Sequence, residues 1–355
     1  MKILVYGAGA VGGYVGARLA HSGHDVTLIS RQVTADAITQ HGLTVIDGEE
    51  TIVTHPTAVS AIAQLYINDE PHFDLIIMAM KSYDLADAID PLAAFCPEPA
   101  HIITLQNGID VERPLIEQFG AERITAGSLT TPIRRDATNR LVVERQGRGL
   151  GLAPAKPGQD IRPWVTLFQQ AGITTIGIDS YPAMKWSKAL LNIVGNATSA
   201  ILNRPPGVVY RSNAMFNLEL RMLKEALAVM NRLNLKIVDL PGSPASRLAT
   251  AVQRIPRLLL KPILTSIVAK GRGDKMPSFH IDLKAGKGKS EVLYHNGAIA
   301  QAGAQVGIPT PVNATLTDIL WRLTKNELDW HEFDGKPRRL LEAVQKQEQA
   351  LKQGK

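Results

Sequence analysis

Cysteine is almost absent from this sequence. The single cysteine, Cys96, cannot form a disulfide within the chain, and it excludes a metal site built on several cysteine ligands. The nine histidines show no HxxxH-type pairing, so no metal site is expected. A chain without a disulfide framework fits a reducing compartment, and we expect a cytoplasmic protein.

Long apolar runs are missing as well. No stretch approaches the ~20 apolar residues of a membrane-spanning helix, and a predicted strand at the N-terminus leaves no room for a signal peptide. The net charge is +6, with the basic excess concentrated between Arg254 and Lys289. Phe279 is the one aromatic residue in that segment, which therefore does not resemble a nucleic-acid-binding module. We expect neither membrane nor nucleic acid as a partner; the basic segment is a solvated surface or attracts anionic ligands.

A glycine-rich turn stands at the start of the chain. Met1 to Tyr6 reads as a buried strand, Gly7, Gly9 and Gly12 follow at once, and a helical pattern leads to a second strand at Val26–Ile29. In this context the first glycine makes the tight turn, the second lets the backbone approach a pyrophosphate, and the third allows close helix–strand packing. The N–H groups at the helix N-terminus would hold the phosphates. We therefore expect a Rossmann-like dinucleotide site formed by Gly7, Ala8, Gly9, Ala10, Val11 and Gly12.

No carboxylate stands at the tip of the second strand. Versions of this fold that bind NAD carry Asp or Glu about 20 residues beyond the glycines, bonded to the ribose 2′-hydroxyl. Here the strand runs into Ser30 and Arg31, and Asp25 lies at its opposite end. A guanidinium offers a rigid set of donors that suits phosphate. Arg31 therefore predicts NADP, with NADPH as the reductant; an ordinary solvated loop arginine is the alternative.

The pattern along the chain predicts two domains. Length and composition, 355 residues with 45% hydrophobic and 20% charged, are ordinary for a two-domain enzyme. Residues 1–180 alternate apolar strands with helices, which predicts an NADP-binding α/β domain with a doubly wound parallel sheet. Residues 181–341 have helical patterns and predict an all-α substrate and catalytic domain. Residues 342–355 are polar and of low complexity, and they predict a tail.

Two further strands of the predicted sheet end in polar residues. Lys81 follows the apolar run that begins at Leu75, and Asn107 follows His101–Leu105. Ligands of doubly wound sheets lie beyond the carboxyl ends of the strands. Lys81 is therefore a candidate for a cofactor phosphate or ribose hydroxyl, and Asn107 for the nicotinamide end or the substrate. Alternatively, Lys81 is a surface lysine and Asn107-Gly108 a simple turn.

A polar row interrupts an otherwise apolar helical region after residue 182. The pattern predicts one long helix over Ala183–Leu202, in which Lys188, Asn192 and Asn196 are four residues apart and share one face. The row is either one wall of an active site, with Lys188 as proton donor and the asparagines binding substrate, or a buried network that joins helices. Lys185, one turn earlier, is a second candidate donor.

A carboxylate is available further along the chain. Glu291 follows Ser290, whose side chain suits a helix N-cap. Glu291 either complements a helix dipole or enters the cleft, where it pairs with Lys188 and binds a substrate hydroxyl.

In this order and spacing the motifs resemble those of the ketopantoate reductase (2-dehydropantoate 2-reductase) family. The resemblance covers most of the chain and rests on Gly7, Gly9, Gly12, Arg31, Lys81, Leu105–Gly108, Lys188, Asn192, Asn196, Ser278, Asp282 and Glu291–Gly297. It implies Lys188 as the general acid and Glu291 as its partner and substrate ligand. It further implies substrate contacts from Asn192, Asn196 and Ser278, and cofactor contacts from Arg31, Lys81 and Asn107.

Two segments depart from the family pattern. Residues 238–275 are long, basic and punctuated by proline, and one extra residue lies between Asp282 and Glu291. Because the first segment leads into Ser278, we expect both departures to border the substrate site. They bear on which substrate is used and leave the fold and cofactor unaffected.

The sequence thus predicts NADPH-dependent reduction of a small anionic 2-oxo acid, with ketopantoate as the leading candidate and, by resemblance, a place in pantothenate biosynthesis. Hydride transfer to C2 places charge on the carbonyl oxygen, which a lysine ammonium, kept charged by a carboxylate, stabilises and protonates. Rival functions are a hydroxy-acid, opine or glycerol-phosphate dehydrogenase of similar two-domain build, and an NADP-sensing protein without turnover. A homodimer is compatible with the sequence.

Overall fold

The chain folds into two compact units. The structure, a computed structural model, describes residues 1–67, 71–272 and 275–353. The first unit comprises Met1–Lys185 together with Asp239–Pro244, and the second comprises Trp186–Val238 and Ala245–Lys355. The first unit therefore continues past residue 180, where the sequence placed the boundary, and it takes in a short segment from the middle of the chain.

The first unit is of the α/β type. Its strands are β1 Lys2–Tyr6, β2 Asp25–Ile29, β3 Leu43–Asp47, β4 Glu50–Thr54, β5 Thr57–Val59, β6 Leu75–Met78, β7 Ile102–Thr104, β8 Ile124–Leu129, β9 Ile133–Ala137, β10 Arg140–Val143, β11 Leu150–Pro154 and β12 Thr175–Gly177. Its own helices are α1 Ala10–His21, α2 Gln32–His41, α3 Leu85–Phe95, α4 Arg113–Phe119 and α5 Arg162–Gln170.

Eight of these strands form the main sheet. Their order is β12-β11-β8-β7-β6-β1-β2-β5, and every neighbouring pair is parallel except β11 against β8. Strands that are apolar on both faces, such as β1 with Ile3, Leu4 and Val5 fully buried, are expected where helices cover both sides of a sheet. The prediction of a doubly wound parallel sheet is confirmed, although β11 runs antiparallel to β8.

A second sheet of the first unit lies against α1. It has the order β4-β3-β10-β9 and contains the hairpin β3–β4 that the sequence predicts. A Cβ built on Gly13 of α1 would lie 2.9 Å from Cδ1 of Leu141, so β10 packs directly on this helix. Strand β9 was not predicted, because its sequence IRRDA has no alternation of apolar residues.

The second unit is helical, as predicted. Helix α6, Tyr181–Ile193, starts in the first unit and continues into the second. The helices after it are α7 Ala197–Leu202, α8 Pro206–Arg211, α9 Asn213–Arg232, α10 Ala245–Arg254, α11 Arg257–Arg272, α12 Ser278–Lys284, α13 Asn296–Gln305, α14 Pro311–Thr324 and α15 Pro337–Lys352. Residues 342–352 thus belong to α15, which buries Leu340 and Val344, while residues 354–355 of the expected tail lie outside the described residues. Among the described helices, none combines the length and the apolar content needed to cross a membrane.

The prediction of one helix over residues 183–202 is wrong. Helix α6 ends at Ile193 and α7 begins at Ala197. Between them Gly195 has φ +59°, a left-handed conformation that glycine adopts without steric cost and that interrupts a helix. Asn196 therefore does not continue the helical face that Lys188 begins.

A buried carboxylate fixes this interruption. Glu219 on α9 is 1% exposed, and it accepts hydrogen bonds from the Gly195 N–H at 2.8 Å and the Tyr210 hydroxyl at 2.8 Å. It also accepts from the Thr198 hydroxyl. Since a buried carboxylate needs such donors, the turn after α6 is held by a residue far along the chain.

Candidate active site

The glycine turn before α1 has the geometry of a phosphate site. Gly7 has φ +105°, and a Cβ on it would lie 2.5 Å from the Met80 nitrogen; a Cβ on Gly12 would lie 2.2 Å from the Gly7 carbonyl oxygen. Both positions are therefore fixed by close packing. Gly9 differs, because no atom lies within 4 Å of the position its Cβ would take. Backbone facing open space at the middle glycine is what the approach of a pyrophosphate requires.

The N-terminus of α1 offers donors to the same place. Gly9 is its N-cap residue, no side chain caps the helix, and its first turn contains no acidic residue. The first N–H groups of a helix have no partner within the helix, and the helix dipole favours an anion beside them. The turn from Gly7 to Gly12 thus fits the diphosphate of a dinucleotide.

Arg31 stands at the tip of β2, as the sequence predicts. It is exposed and lies directly before α2, where its carbonyl accepts from the N–H groups of Thr34 and Ala35 at 2.8 and 3.0 Å. In the part of the chain that the structure describes, no carboxylate forms an ion pair with Arg31. Its guanidinium is therefore available to an anion near the glycine turn.

The ends of β6 and β7 lie together at the same edge of the sheet. The hydroxyl of Ser82, next to Lys81, donates to the Asn107 carbonyl. Lys81 and Asn107 are both half-buried. Because Gly7 packs against Met80, which precedes Lys81, the glycine turn, Lys81 and Asn107 share one edge of the first unit.

Lys185 is held inside the first unit. Its side chain is 2% exposed, and its Nζ lies 2.7 Å from Oε1 of Glu112. The ammonium also donates to the carbonyls of Gln106 at 2.8 Å and Gly127 at 2.9 Å, so its three N–H bonds are all engaged. Glu112 in turn accepts from the Thr104 hydroxyl at 2.7 Å. This buried network ties the start of α6 to β8 and to the residues after β7. The hypothesis of Lys185 as a substitute proton donor has no support in this geometry.

Lys188 lies one turn further along α6, in the second unit. It is half-buried, as is Asn192, and the two are four residues apart on one face of the helix. The two lysines of α6 thus have different surroundings, since Lys185 is enclosed with a carboxylate and Lys188 is partly accessible.

Asn196 brings the start of α12 to the end of α6. Its side chain is 4% exposed; Oδ1 accepts from the Phe279 N–H at 3.2 Å, and Nδ2 lies 3.4 Å from Oγ of Ser278. Nδ2 also donates to the Asn192 carbonyl at 3.2 Å. The structure therefore brings together three of the predicted substrate contacts, with Asn196 holding Ser278 beside Asn192.

Glu291 lies in a separate turn of the second unit. It is 3% exposed, at the start of the short 3-10 turn Glu291–Tyr294, and the Ser290 hydroxyl caps this turn by accepting from the Val292 N–H at 3.2 Å. Asp282, 5% exposed on α12, forms an ion pair with Lys287. The loop that carries the extra residue is thereby tied to α12.

Arg135 lies beside the glycine turn and is not among the residues predicted from the sequence. It lies on β9, and its Nη2 donates to the carbonyl of Ala8 in the glycine turn at 2.8 Å. Burial and the nearby Arg31 guanidinium both lower the pKa of Arg135. No sequence signal marks it, because β9 lacks an apolar pattern and is 127 residues from Ala8.

The doubly wound unit with its phosphate turn, followed by a helical unit, defines a two-unit dinucleotide-binding protein. The sequence profile of ketopantoate reductase PanE/ApbA matches residues 3–150, and that of the ketopantoate reductase PanE/ApbA C terminal matches residues 181–323. Together they cover most of both units. The chain belongs to the ketopantoate reductase family of oxidoreductases, and the resemblance predicted from the motifs is confirmed.

Individual relatives are similar to this chain in sequence and in fold. The 2-dehydropantoate 2-reductase of Pyrococcus horikoshii is 28% identical over 332 residues, which cover 92% of this chain and 97% of the relative. A PanE/ApbA family ketopantoate reductase from Ralstonia eutropha JMP134 superposes with a TM-score of 0.76 at 25% identity, covering 92% of this chain and 99% of that one. D-mandelate dehydrogenase, crystallised with NADH and anilino(oxo)acetate, has the same fold, with a TM-score of 0.76 at 20% identity and the same coverage.

Proposed function

We propose that the protein reduces 2-dehydropantoate (ketopantoate) to pantoate with NADPH. The observation that carries this proposal is the match of both units to the two profiles of one family. The matched ranges contain every motif residue from Gly7 to Glu291. Full-length relatives named 2-dehydropantoate 2-reductase support the same reaction.

The residues of the first unit fit a nicotinamide dinucleotide. The open backbone at Gly9 and the uncapped N-terminus of α1 would take the diphosphate. Arg31 would take the 2′-phosphate, and Lys81 and Asn107 the part of the cofactor beyond the diphosphate. When bound, the nicotinamide supplies the hydride that reduces the C2 carbonyl.

The residues of the second unit would bind the 2-oxo acid and move the proton. The Lys188 ammonium would donate a hydrogen bond to the C2 oxygen, stabilise the negative charge that develops there and transfer a proton from Nζ. Glu291 would keep that ammonium charged and accept a hydrogen bond from a substrate hydroxyl. Asn192 and Ser278 would orient the substrate, with Asn196 keeping Ser278 in place.

A steady-state assay of NADPH oxidation tests the proposal. Ketopantoate, 2-oxoisovalerate and phenylglyoxylate would be compared as substrates, since they share the 2-oxo acid group and differ in the side chain. Ketopantoate is expected to have the highest kcat/KM. Tight NADPH binding with no turnover of any 2-oxo acid would identify a cofactor-sensing protein instead.

Reduction of a different 2-oxo acid is the second candidate. Residues 238–275, of which 273 and 274 lie outside the described residues, include α10 and α11. The loop after α12 is tied by Lys287 to Asp282, four residues from Ser278. A change in this region would alter the space available to the substrate side chain. A kcat/KM for phenylglyoxylate more than about tenfold higher than that for ketopantoate would favour this function. Such a ratio corresponds to roughly 1.4 kcal/mol in transition-state binding.

A further inference from the structure

We propose that Arg135 is a second specificity-determining residue for the cofactor and that it binds the 2′-phosphate of NADP together with Arg31. This inference deepens the proposed function and rests on its preference for NADP. Arg135 belongs to none of the sequence motifs described above. It is placed beside the glycine turn by β9 of the second sheet.

The backbone of the glycine turn fixes the position of the Arg135 guanidinium. Nη2 donates to the Ala8 carbonyl at 2.8 Å. In the register of β9 with β10, Arg135 stands opposite Leu141, and side chains of such a pair lie on the same face of a sheet. Leu141 is 1% exposed and packs towards Gly13 of α1. Arg135 is therefore on the face of the second sheet that covers α1.

Ala8 connects Arg135 to the tip of β2. The Ala8 N–H donates to the carbonyl of Ile29 at 3.0 Å, and Ile29 ends β2 two residues before Arg31. The charge of Arg31 is close enough to lower the pKa of Arg135, after the larger effect of burial. The Arg135 guanidinium thus lies at the end of the glycine turn that is bonded to the tip of β2, where Arg31 stands.

Among the described residues no carboxylate forms an ion pair with Arg31 or Arg135, whereas the buried Arg18 on α1 pairs with Asp47 and Glu50. Two like charges near one another repel, and an anion bound beside both offsets that repulsion. The arrangement of Arg31 and Arg135 therefore suits a dianion.

The position of the pair selects the 2′-phosphate among the anionic groups of the cofactor. The diphosphate belongs at Gly9 and the N-terminus of α1, whereas the tip of the second strand is where this fold holds the 2′ position of the ribose. Arg135 acts with Arg31 at that tip. A phosphate monoester carries a charge of about −1.5 to −2 at neutral pH, which matches two guanidinium groups.

Cofactor binding by three variants tests the proposal. Arg135→Gln and Arg31→Gln remove the two charges one at a time. Arg134→Gln is the matched control, because Arg134 is the preceding residue of β9 and its guanidinium pairs with Asp136 and lies 3.7 Å from a carboxylate oxygen of Glu144. Dissociation constants for NADPH and NADH are measured from nucleotide fluorescence, together with competition by 2′,5′-ADP and 5′-ADP, so that the result does not depend on turnover.

Arg135→Gln and Arg31→Gln are each expected to weaken binding of NADPH and 2′,5′-ADP by about 10-fold to 100-fold, as for one lost hydrogen bond to a charged group. Binding of NADH and 5′-ADP should stay within about threefold of wild type. Arg134→Gln should bind all four ligands as wild type does. Arg135→Lys, which keeps the charge without the forked donors, should show an intermediate loss and serves as the test if Arg135→Gln does not fold.

Equal losses for NADPH and NADH in Arg135→Gln would overturn the proposal, because Arg135 would then act on the diphosphate or on the turn itself. Unchanged binding of all ligands would overturn it too. A wild-type protein that binds NADH more tightly than NADPH would refute the NADP preference of the proposed function along with this inference. Wild-type preference for NADPH combined with an unaffected Arg135→Gln would refute only the role of Arg135.

Discussion

The buried ion pair of Lys185 and Glu112 leads us to predict that Lys185 contributes to stability, whereas Lys188, on the same helix, contributes to catalysis. Lys185→Met keeps an unbranched stem of similar length and removes the ammonium. Glu112 has a fully buried side chain, and its Oε2 has no hydrogen-bond partner within the described residues. Without Lys185 the carboxylate keeps the Thr104 hydroxyl but loses its counter-ion. Breaking a buried pair in this way costs about 3–5 kcal/mol of stability.

Urea unfolding followed by tryptophan fluorescence measures this cost. With a slope of about 3 kcal/mol per molar urea, Lys185→Met should lower the unfolding midpoint by about 1 M or more. The double variant Glu112→Gln with Lys185→Met no longer buries an unpaired charge, and it should recover most of the loss. Lys346→Met, which removes an exposed lysine of α15, is the control and should leave the midpoint close to that of wild type.

Two results would refute this reasoning. A Lys185→Met variant with wild-type stability would mean that Lys185 does not neutralise Glu112 in the folded protein. A variant of normal stability whose kcat falls as far as that of a Lys188 variant would make Lys185 the proton donor and reverse the assignment.

Three further predictions address the proposed proton donor Lys188, the glycine turn and the pH dependence of stability. Lys188→Ala should lose 10²–10⁴-fold in kcat, the usual effect of removing a general acid, while a fluorescence titration shows unchanged NADPH binding; near-normal kcat would exclude Lys188 as the acid. Gly9→Val should keep the wild-type melting temperature and bind NADPH more than about tenfold more weakly, because its side chain would fill open space, whereas Gly12→Ala should melt at a lower temperature, since its Cβ would lie 2.2 Å from the Gly7 oxygen. Burial lowers the pKa of His101 from 6.5 to about 4, so the unfolded chain takes up a proton that the folded chain does not. This contribution to stability is fully present above pH 6.5 and is lost as the pH falls towards 4, by about 2 kcal/mol at pH 5; His101→Gln should remove that part of the pH dependence in urea titrations, and an identical dependence in the variant would show that His101 is not its source.

Local sequence determines much of the fold. The β1–α1–β2 stretch was predictable because strand, glycine turn and helix follow one another within 31 residues and each has its own periodicity. The end of α6 was not predictable, since the sequence around Gly195 remains helical in pattern. It is the carboxylate of Glu219, 24 residues further on, that binds the Gly195 N–H and stabilises the interruption.

The candidate site likewise contains residues that the sequence indicates and residues that only tertiary contacts reveal. Arg31, Lys81 and Asn107 could be named from the sequence because each stands two or three residues after a recognisable strand. Arg135 could not, because it reaches Ala8 only through the pairing of two sheet strands and the packing of that sheet on α1. Both lysines lie on one helix, so the sequence alone does not separate Lys185 from Lys188. The ion pair of Lys185 with the buried carboxylate of Glu112 becomes visible only from the tertiary contacts.

The six residues 239–244 make the first unit discontinuous in sequence, and this has a consequence for biosynthesis. Pro241 provides the carbonyl that accepts from the Thr130 hydroxyl at 2.7 Å, and Leu240 is 4% exposed, with its Cδ2 2.3 Å from the position that a Cβ on Gly151 would occupy. As the chain leaves the ribosome, these groups emerge only after α6 to α9 have been made. The core of the nascent α/β unit therefore stays incomplete until residues 239–244 have been synthesised. By then about a third of the helical unit has also been made. In a truncated protein ending at Lys185 that core would stay incomplete permanently.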